Sequence, residues 1–266
     1  MPGSLYIVAT PIGNLGDFSA RGIDTLRSAD IVAAEDTRVT LKLFYKFDIK
    51  KPCISYNKTN CEKRGQELLT MLLDGQSVAL VSDAGTPAIS DPGEALVALA
   101  LANGVSVVPV PGCCAAITAL SVCGLGTGRF CFEGFLSVQK SGRQKRLAGL
   151  AQETRTMVFY EAPHKLMGTL QDFLKVFGER RISILRELTK LHEQNMLTTL
   201  SGAIDYFSQT PPRGEFVLVV EGAPDVVEKI APAIDDSLSS KDNAKAAKAA
   251  GLSRNEAYKL SLKHKK

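Results

Sequence analysis

No apolar run in this sequence reaches the ~20 residues that a membrane-crossing helix needs, and the N-terminus passes straight into a strand pattern at Leu5. Neither a membrane span nor a signal peptide is expected. Histidine is scarce: the chain has three, none at metal-ligand spacing, so no metal site is expected. Cysteine occurs at 53, 61, 113, 114, 123 and 131, but never as C-x-x-C. That argues against zinc-ribbon and disulfide frameworks and fits a reduced, cytoplasmic setting. Net charge is also small, at +4, but it is unevenly placed. From Ser239 to Lys266 there are eight Lys/Arg against two Asp/Glu, a local +6 that leaves −2 on the other 238 residues. A basic appendage on a near-neutral body suits contact with a polyanion.

The 266 residues, 45% apolar and 23% charged, are enough for one large domain or two compact ones. Leu5–Ala9, Ile31–Ala34, Val78–Val81 and Val105–Val110 are short apolar runs of the kind that buried parallel strands require. Helical patterns lie between them, at Ser19–Arg27, Val39–Tyr45, Glu62–Leu73 and Glu94–Ala102. This alternation predicts an open parallel α/β sheet in an N-terminal domain, residues 1–118. Gly124–Gly128 follows as a flexible boundary. A second α/β domain, 119–225, is expected from strands at Phe130–Phe135, Thr156–Tyr160, Ile182–Leu185, Met196–Leu200 and Glu215–Val220. Helices are expected at Arg143–Ala151 and Pro163–Phe177. The closeness of the last two strands predicts antiparallel pairing and a mixed sheet. Residues 226–266 read as a linker and a small basic helical unit, helix-turn-helix-like, with an S-x-x-E capping box at Ser253 and Glu256. A solvated basic tail is the alternative.

Four loops place small, backbone-exposing residues after strands, where ligands sit in open α/β sheets. Thr10–Asp17 follows the first strand but has neither the dinucleotide G-x-G-x-x-G spacing nor a Walker A lysine. Val81–Gly93 is longer than a simple β-α connection needs. In it Asp83 is a candidate acceptor for an amine or a ribose hydroxyl, and the Gly85–Ile89 backbone a candidate pocket wall. Pro111–Thr118 starts a helix at Gly112 with side chains small enough for close ligand approach; Cys113 and Cys114 read as packing residues, not nucleophiles. In Phe159–Lys165, Tyr160 is a candidate stacking residue, with Glu161, His164 and Lys165 as polar candidates and Pro163 opening a helix.

Taken together, Val8–Asp17, Ala34–Arg38, Ser82–Gly93, Phe159–His164, Arg186–Lys190 and Gly214–Gly222 resemble the signature segments of one family. It is the ribosomal small-subunit RNA methyltransferase I group of the tetrapyrrole methylase superfamily, and the likeness covers nearly the whole chain. The resemblance implies the two-domain class III methyltransferase fold and a homodimer that moves the methyl of S-adenosylmethionine to a ribose 2′-hydroxyl. The target it implies is a cytidine in the decoding region of small-subunit rRNA. It also implies that the cofactor touches Pro11, Asp83, Ala84, Gly85, Thr86, Ile89, Cys114, Ala115, Tyr160, Gly214 and Glu215. Ser137 stands where the family often has proline, Lys165 where it often has arginine, and Cys113-Cys114 is unusual after Pro111-Gly112. An arginine fork and a lysine point charge hold phosphate differently.

A ribose hydroxyl is a poor nucleophile at neutral pH and gains from a proton acceptor. The candidates are Asp36, Glu161 and Glu187, with Lys190, Arg38 and Lys165 as electrostatic helpers. For RNA contact the sequence offers Arg38 and Lys165, the apolar-poor Lys140, Arg143, Lys145 and Arg146, and secondarily Arg180 and Arg181. Three other readings compete. One is a methyltransferase of a tetrapyrrole or other small molecule, which has no use for a basic tail. The others are a nucleic-acid-binding regulator with a ligand-sensing body and, less favoured, a protein methyltransferase.

Overall fold

Five strands of the first half lie side by side in the computed structural model, which describes residues 1–224 and, beyond them, Lys245 alone. They are β1 (Ser4–Val8), β2 (Ile31–Ala34), β3 (Cys53–Ser55), β4 (Val78–Val81) and β5 (Ser106–Val110). All pair in parallel, in the order β3-β2-β4-β1-β5. Helices on both faces explain why the central strands are continuously apolar. On one face α1 (Ala20–Ser28) and α2 (Thr37–Lys46) cover Val8, Val32, Ala79 and Val81 with Leu26 and Phe44. On the other, α3 (Cys61–Leu73) and α4 (Glu94–Ala102) cover Leu5, Ala33, Val78 and Leu80 with Leu68, Leu72, Leu96 and Ala100.

The connection from β1 leads to β2 on one side, whereas that from β4 leads to β5 on the other. Neighbouring strands whose connections diverge leave a crevice at their carboxyl ends. The loops filling it are Ala9–Ser19 and Ser82–Gly93, two of those marked by sequence. Short side-chain caps open the helices nearby: Ser19 accepts from Gly22 N at 3.0 Å and Asp36 from Arg38 N at 2.8 Å.

The second sheet runs β6-β7-β10-β8-β9, from β6 (Phe130–Phe135), β7 (Thr156–Glu161), β8 (Arg181–Arg186), β9 (Gln194–Thr199) and β10 (Phe216–Val220). Only β6 and β7 are parallel. The mixed character matches expectation, but β9 and β10 do not pair with each other. β10 slots between β7 and β8, and the polar β9 is left at the edge. One face is covered by α6 (Lys140–Gly149), α7 (Pro163–Phe177) and α8 (Leu200–Gln209), around Phe159, Leu166, Phe173 and Leu218. The other is covered by α5 (Ala115–Val122), whose Ala116, Ala119 and Leu120 pack on Val158, Leu185, Val217 and Val219. Because α5 follows the first sheet yet packs on the second, Met1–Ala223 forms one compact unit. The helix starts at Ala115, not Gly112, since Pro111–Cys114 runs extended beside Ala9; a Cβ on Gly112 would lie 3.0 Å from Ala9 Cβ. The expected helix-turn-helix-like unit at 226–266 lies outside the described residues, Lys245 apart.

Candidate functional site

At the crevice, Thr10 and Gly85 exchange backbone hydrogen bonds of 2.9 and 3.1 Å, and Thr10 Oγ1 donates to Ser82 O at 3.2 Å. The second loop bends through left-handed conformations at Gly85 (φ 85°), Ala88 (66°), Ser90 (68°) and Gly93 (145°). Glycine suits the last: a Cβ there would sit 2.8 Å from Leu80 Cδ2. The loop walls a cavity of about 420 Å³ between the two sheets, within the usual size of small-molecule sites. Of the residues expected at a cofactor, Asp83, Ala84, Gly85, Thr86, Ile89, Cys114, Ala115, Tyr160 and Glu215 line it. Pro11 does not; it lines a neighbouring cavity of about 350 Å³. Gly214 lines neither, but packs on the Glu187 carboxyl group.

The larger cavity is apolar on its flanks, with Ile12, Phe135, Leu185, Leu188 and Val217, and acidic at one end. There Glu35 and Asp91, which sequence reasoning missed, join Asp83. Burial pushes all three carboxyls above their ordinary range; Asp91 and Asp83 add repulsion at Glu35, while a hydrogen bond from Ser82 partly offsets the rise at Asp91. Asp83 Oδ1 accepts from Asp36 N at 3.0 Å. Tyr160 stands edge-on to Phe132 and Phe135, and its hydroxyl accepts from Ala116 N at 3.1 Å. Burial pushes that phenol up to about 12. Cys113, read as a packing residue, is half-buried and its thiol is raised by burial.

The expected proton acceptors are not equivalent. Asp36 caps α2 and holds Arg38 through contacts of 2.6 to 3.2 Å, which brings it down to about 2. A carboxylate so stabilised is a weak base. Glu161 is 4% exposed and both its oxygens are taken, by Ala162 N at 2.9 Å and Thr169 Oγ1 at 2.6 Å. Glu187 Oε1 accepts from Lys190 Nζ at 2.8 Å and Glu215 N at 2.9 Å, and Lys190 also bonds Glu215 Oε2 at 2.7 Å. The lysine holds Glu187 low. Burial pulls Lys190 down, but its two carboxylate partners outweigh that and keep the ammonium above its ordinary value. These geometries make Asp36 and Glu161 fixed struts and Lys190 a fixed cation.

The basic candidates divide likewise. Lys140, Lys145 and Arg38 are exposed; Lys165 is half-buried on α7. Arg143 departs from the expected solvent-facing role: it binds Asp172 on α7 at 2.6 Å, and the two side chains are 18% and 14% exposed. Arg146 is paired with Glu133 at 2.7 Å. Arg180 is buried, donating to Ala151 O at 2.6 Å over the Phe177 ring, and Arg181 pairs with Glu221. All four are engaged by partners within the fold, Arg143 and Arg180 in sheltered positions and Arg146 and Arg181 at the surface, and those partners lie too far along the chain to be read from sequence.

The profile of the Tetrapyrrole (Corrin/Porphyrin) Methylases matches residues 4–204. The chain is 54% identical to the "Ribosomal RNA small subunit methyltransferase I" of Synechocystis sp. over 222 residues, 83% of this chain and 80% of that protein. It is 41% identical to the protein of the same name from Haemophilus influenzae, over 99% of this chain and 98% of the relative. Among solved structures, diphthine synthase superposes with a TM-score of 0.62 at 15% identity, covering 82% of this chain and 90% of that one. The uroporphyrin-III C-methyl transferase of Thermus thermophilus, solved with S-adenyl homocysteine, gives 0.59 at 18%, covering 82% and 97%. These two share the fold. The match over 4–204 and identities of this level over most of the chain place it in the tetrapyrrole methylase family, among the ribosomal RNA small subunit methyltransferases I.

Proposed function

We propose that this chain transfers a methyl group from S-adenosylmethionine to small-subunit rRNA, at the 2′-hydroxyl of a cytidine in the decoding region. The observation that carries the reading is the larger cavity, at the diverging ends of β1 and β4, in a chain so similar to proteins named for that reaction. Its residues suit the cofactor: apolar flanks for adenine, and Glu35, Asp83 and Asp91 for a ligand bearing sulfonium and ammonium cations. When bound, S-adenosylmethionine supplies an activated methyl on a positively charged sulfur. The protein positions it, with the backbone of Ala84–Thr86 and the ring of Tyr160 as walls. Closing both reactants into fixed geometry is worth effective molarities on the order of 10⁵–10⁸ M. Lys190, held protonated by Glu187 and Glu215, contributes a fixed positive charge beside the smaller cavity. For RNA contact, Arg38, Lys140, Lys145 and Lys165 meet phosphates, helped by the basic segment beyond Ser239. A homodimer and two functional halves, 1–118 and 119–225, complete the reading. No helix among the described residues is long and apolar enough to cross a membrane.

The test is transfer of labelled methyl to ribosomal particles and rRNA from a strain lacking this gene, followed by alkaline hydrolysis. Label in an alkali-resistant dinucleotide supports ribose 2′-O-methylation. Label on neither, with cofactor still bound, moves the reading to a small-molecule acceptor.

A further inference from the structure

The smaller cavity has no role in holding the cofactor as assigned above. It is walled by the loop from Thr10 to Leu15 and by one face of α2, Val39 to Leu43, and is closed at one side by Lys190. Ile12, Asp83, Ala84 and Glu215 line both cavities, so the two adjoin there. In a direct displacement the acceptor oxygen must touch the methyl carbon, so the acceptor of a methyl held in the larger cavity enters from a space that adjoins it, as this one does. The lining is of the right chemistry for a nucleoside: Pro11, Leu15, Val39 and Leu43 offer an apolar surface to a ring, and Lys42 stands exposed at the side.

Resting on the function proposed above, we infer that this cavity receives the acceptor nucleoside, turned out of the RNA, and that Asp83 takes the proton of its ribose hydroxyl. Glu35 and Asp91 line only the larger cavity, and the remaining candidate carboxylates are excluded by their bonds. Asp36 is held by Arg38 and Glu187 by Lys190, Glu161 has both oxygens occupied, and Glu215 is tied to Lys190. Among the described residues Asp83 forms no ion pair, and a single backbone N–H, that of Asp36, reaches its carboxylate. The step balances: the ribose oxygen forms its bond to the methyl carbon as the carbon–sulfur bond breaks with its electron pair on sulfur. The sulfonium becomes a neutral thioether, and the hydroxyl proton passes to Asp83 and then to water.

The experiment uses the full chain, S-adenosylmethionine, small subunits lacking the modification, and an RNA fragment carrying a photoreactive 5-iodocytidine at the modified position. Three variants accompany it. Val39→Trp fills the cavity from a position already 38% exposed, Lys42→Glu reverses charge at its side, and Asp83→Asn keeps an acceptor for Asp36 N. The inference expects crosslinks in Thr10–Leu15 or Val39–Leu43. For Val39→Trp it expects at least a tenfold loss of kcat/KM for subunits with cofactor affinity within twofold by calorimetry. For Asp83→Asn it expects a kcat loss of roughly 10²–10⁴-fold at saturating cofactor. If Val39→Trp melts early, Lys42→Glu carries the comparison, with a raised KM for subunits. Crosslinks elsewhere, or Val39→Trp and Lys42→Glu turning over like wild type, overturn the acceptor cavity; undiminished kcat in Asp83→Asn overturns the proton assignment. A wild-type chain that methylates no RNA overturns the function reading and this inference together, which the first two failures do not.

Discussion

Replacing Gly214 by alanine should cost about 3 kcal/mol, although the residue lies in a loop and is not fully buried. Gly214 has φ 86°, a conformation that costs a residue with a Cβ roughly 1–2 kcal/mol. A Cβ there would also fall 2.6 Å from Glu187 Cγ and 2.7 Å from its Cδ and Oε1, so Glu187 must move. It cannot move freely, because Oε1 holds both Lys190 Nζ and Glu215 N, and its own φ is 53°. Hydrogen bonds to charged groups contribute about 1.5–3 kcal/mol when sheltered. The side chains of Lys190 and Glu187 are 27% and 20% exposed, so water replaces part of that bonding and the lower end applies. For a protein of this size 1 kcal/mol moves Tm by roughly 2–4 °C, giving a fall of about 6–12 °C. Gly149, at the end of α6 with nothing within 4 Å of an added Cβ, is the control. Its alanine variant should melt at or slightly above the wild-type temperature, since alanine favours helix. Thermal unfolding by circular dichroism distinguishes them. A Gly214→Ala protein melting with the Gly149→Ala control would refute the claim that Gly214 fixes Glu187 and, through it, Lys190.

Arg143→Ala should destabilise by about 2–4 kcal/mol, because it strands Asp172 in a mostly buried site, while leaving the salt dependence of RNA binding unchanged. Lys140→Ala and Lys145→Ala should do the reverse, keeping stability within about 0.5 kcal/mol and flattening the salt slope by roughly 0.7–0.9 for each phosphate no longer neutralised. Denaturant melts and RNA titrations at several salt concentrations separate the two, and a wild-type melt for Arg143→Ala would show the pair to be incidental. Binding of S-adenosylmethionine should release protons, since a cation placed among Glu35, Asp83 and Asp91 lowers carboxyls that the cofactor-free fold holds above their ordinary range. Affinity then rises with pH from about 4 through the raised values and levels off above them. Over that window the cofactor-free fold binds more protons at these groups than the unfolded chain does, so their contribution to stability falls as pH rises. Calorimetry in two buffers of different ionisation enthalpy reads the proton count, and net proton uptake would contradict the arrangement.

What could be read from sequence follows from where each signal originates. β2 and β4 are buried on both faces, so their apolar runs announce them. β3 spans three half-buried residues at a sheet edge, too short for any period to announce it. Nor does the sequence announce α8, whose start depends on Thr199 accepting from Gly202 N, a cap hidden inside a stretch with the pattern of a strand end. Strand order is not carried by local pattern. β9 and β10 are successive strands, yet each pairs with β8, because the buried Phe216–Val220 belongs at the centre and the alternating Gln194–Thr199 at the edge. Among site residues, the glycine- and proline-dense loops identified themselves, whereas Glu35 and Asp91 did not. A lone acid beside a strand or turn looks like any cap, and Asp36, its neighbour, is one. What marks Glu35 is the cavity it faces, which exists only after both sheets are packed.

Backbone strain supplies a signal that sequence hides. Five non-glycine residues among those described have left-handed φ. Asp48 follows α2 and is of a type that tolerates such a turn. The other four, Ala88, Ser90, Glu187 and Thr189, are not, and they occupy just two loops. Strain of this kind persists only where surrounding structure over-determines the chain, and it gathers at functional sites. One loop rises from β4 in the first sheet and the other leaves β8 in the second. They are joined through the β1 loop, where Gly13 lies so close to the second that an added Cβ would sit 2.5 Å from Lys190 Cγ and 3.1 Å from Thr189 Oγ1. That hydroxyl is buried without a hydrogen-bond partner, a further cost carried at the same point. An approach this tight requires both sheets in their final packing, so the β1 loop that lines both cavities is fixed by the fold as a whole. For a reaction whose rate depends on holding a donor and a weak nucleophile in line, rigidity gained that way is where strain can be repaid.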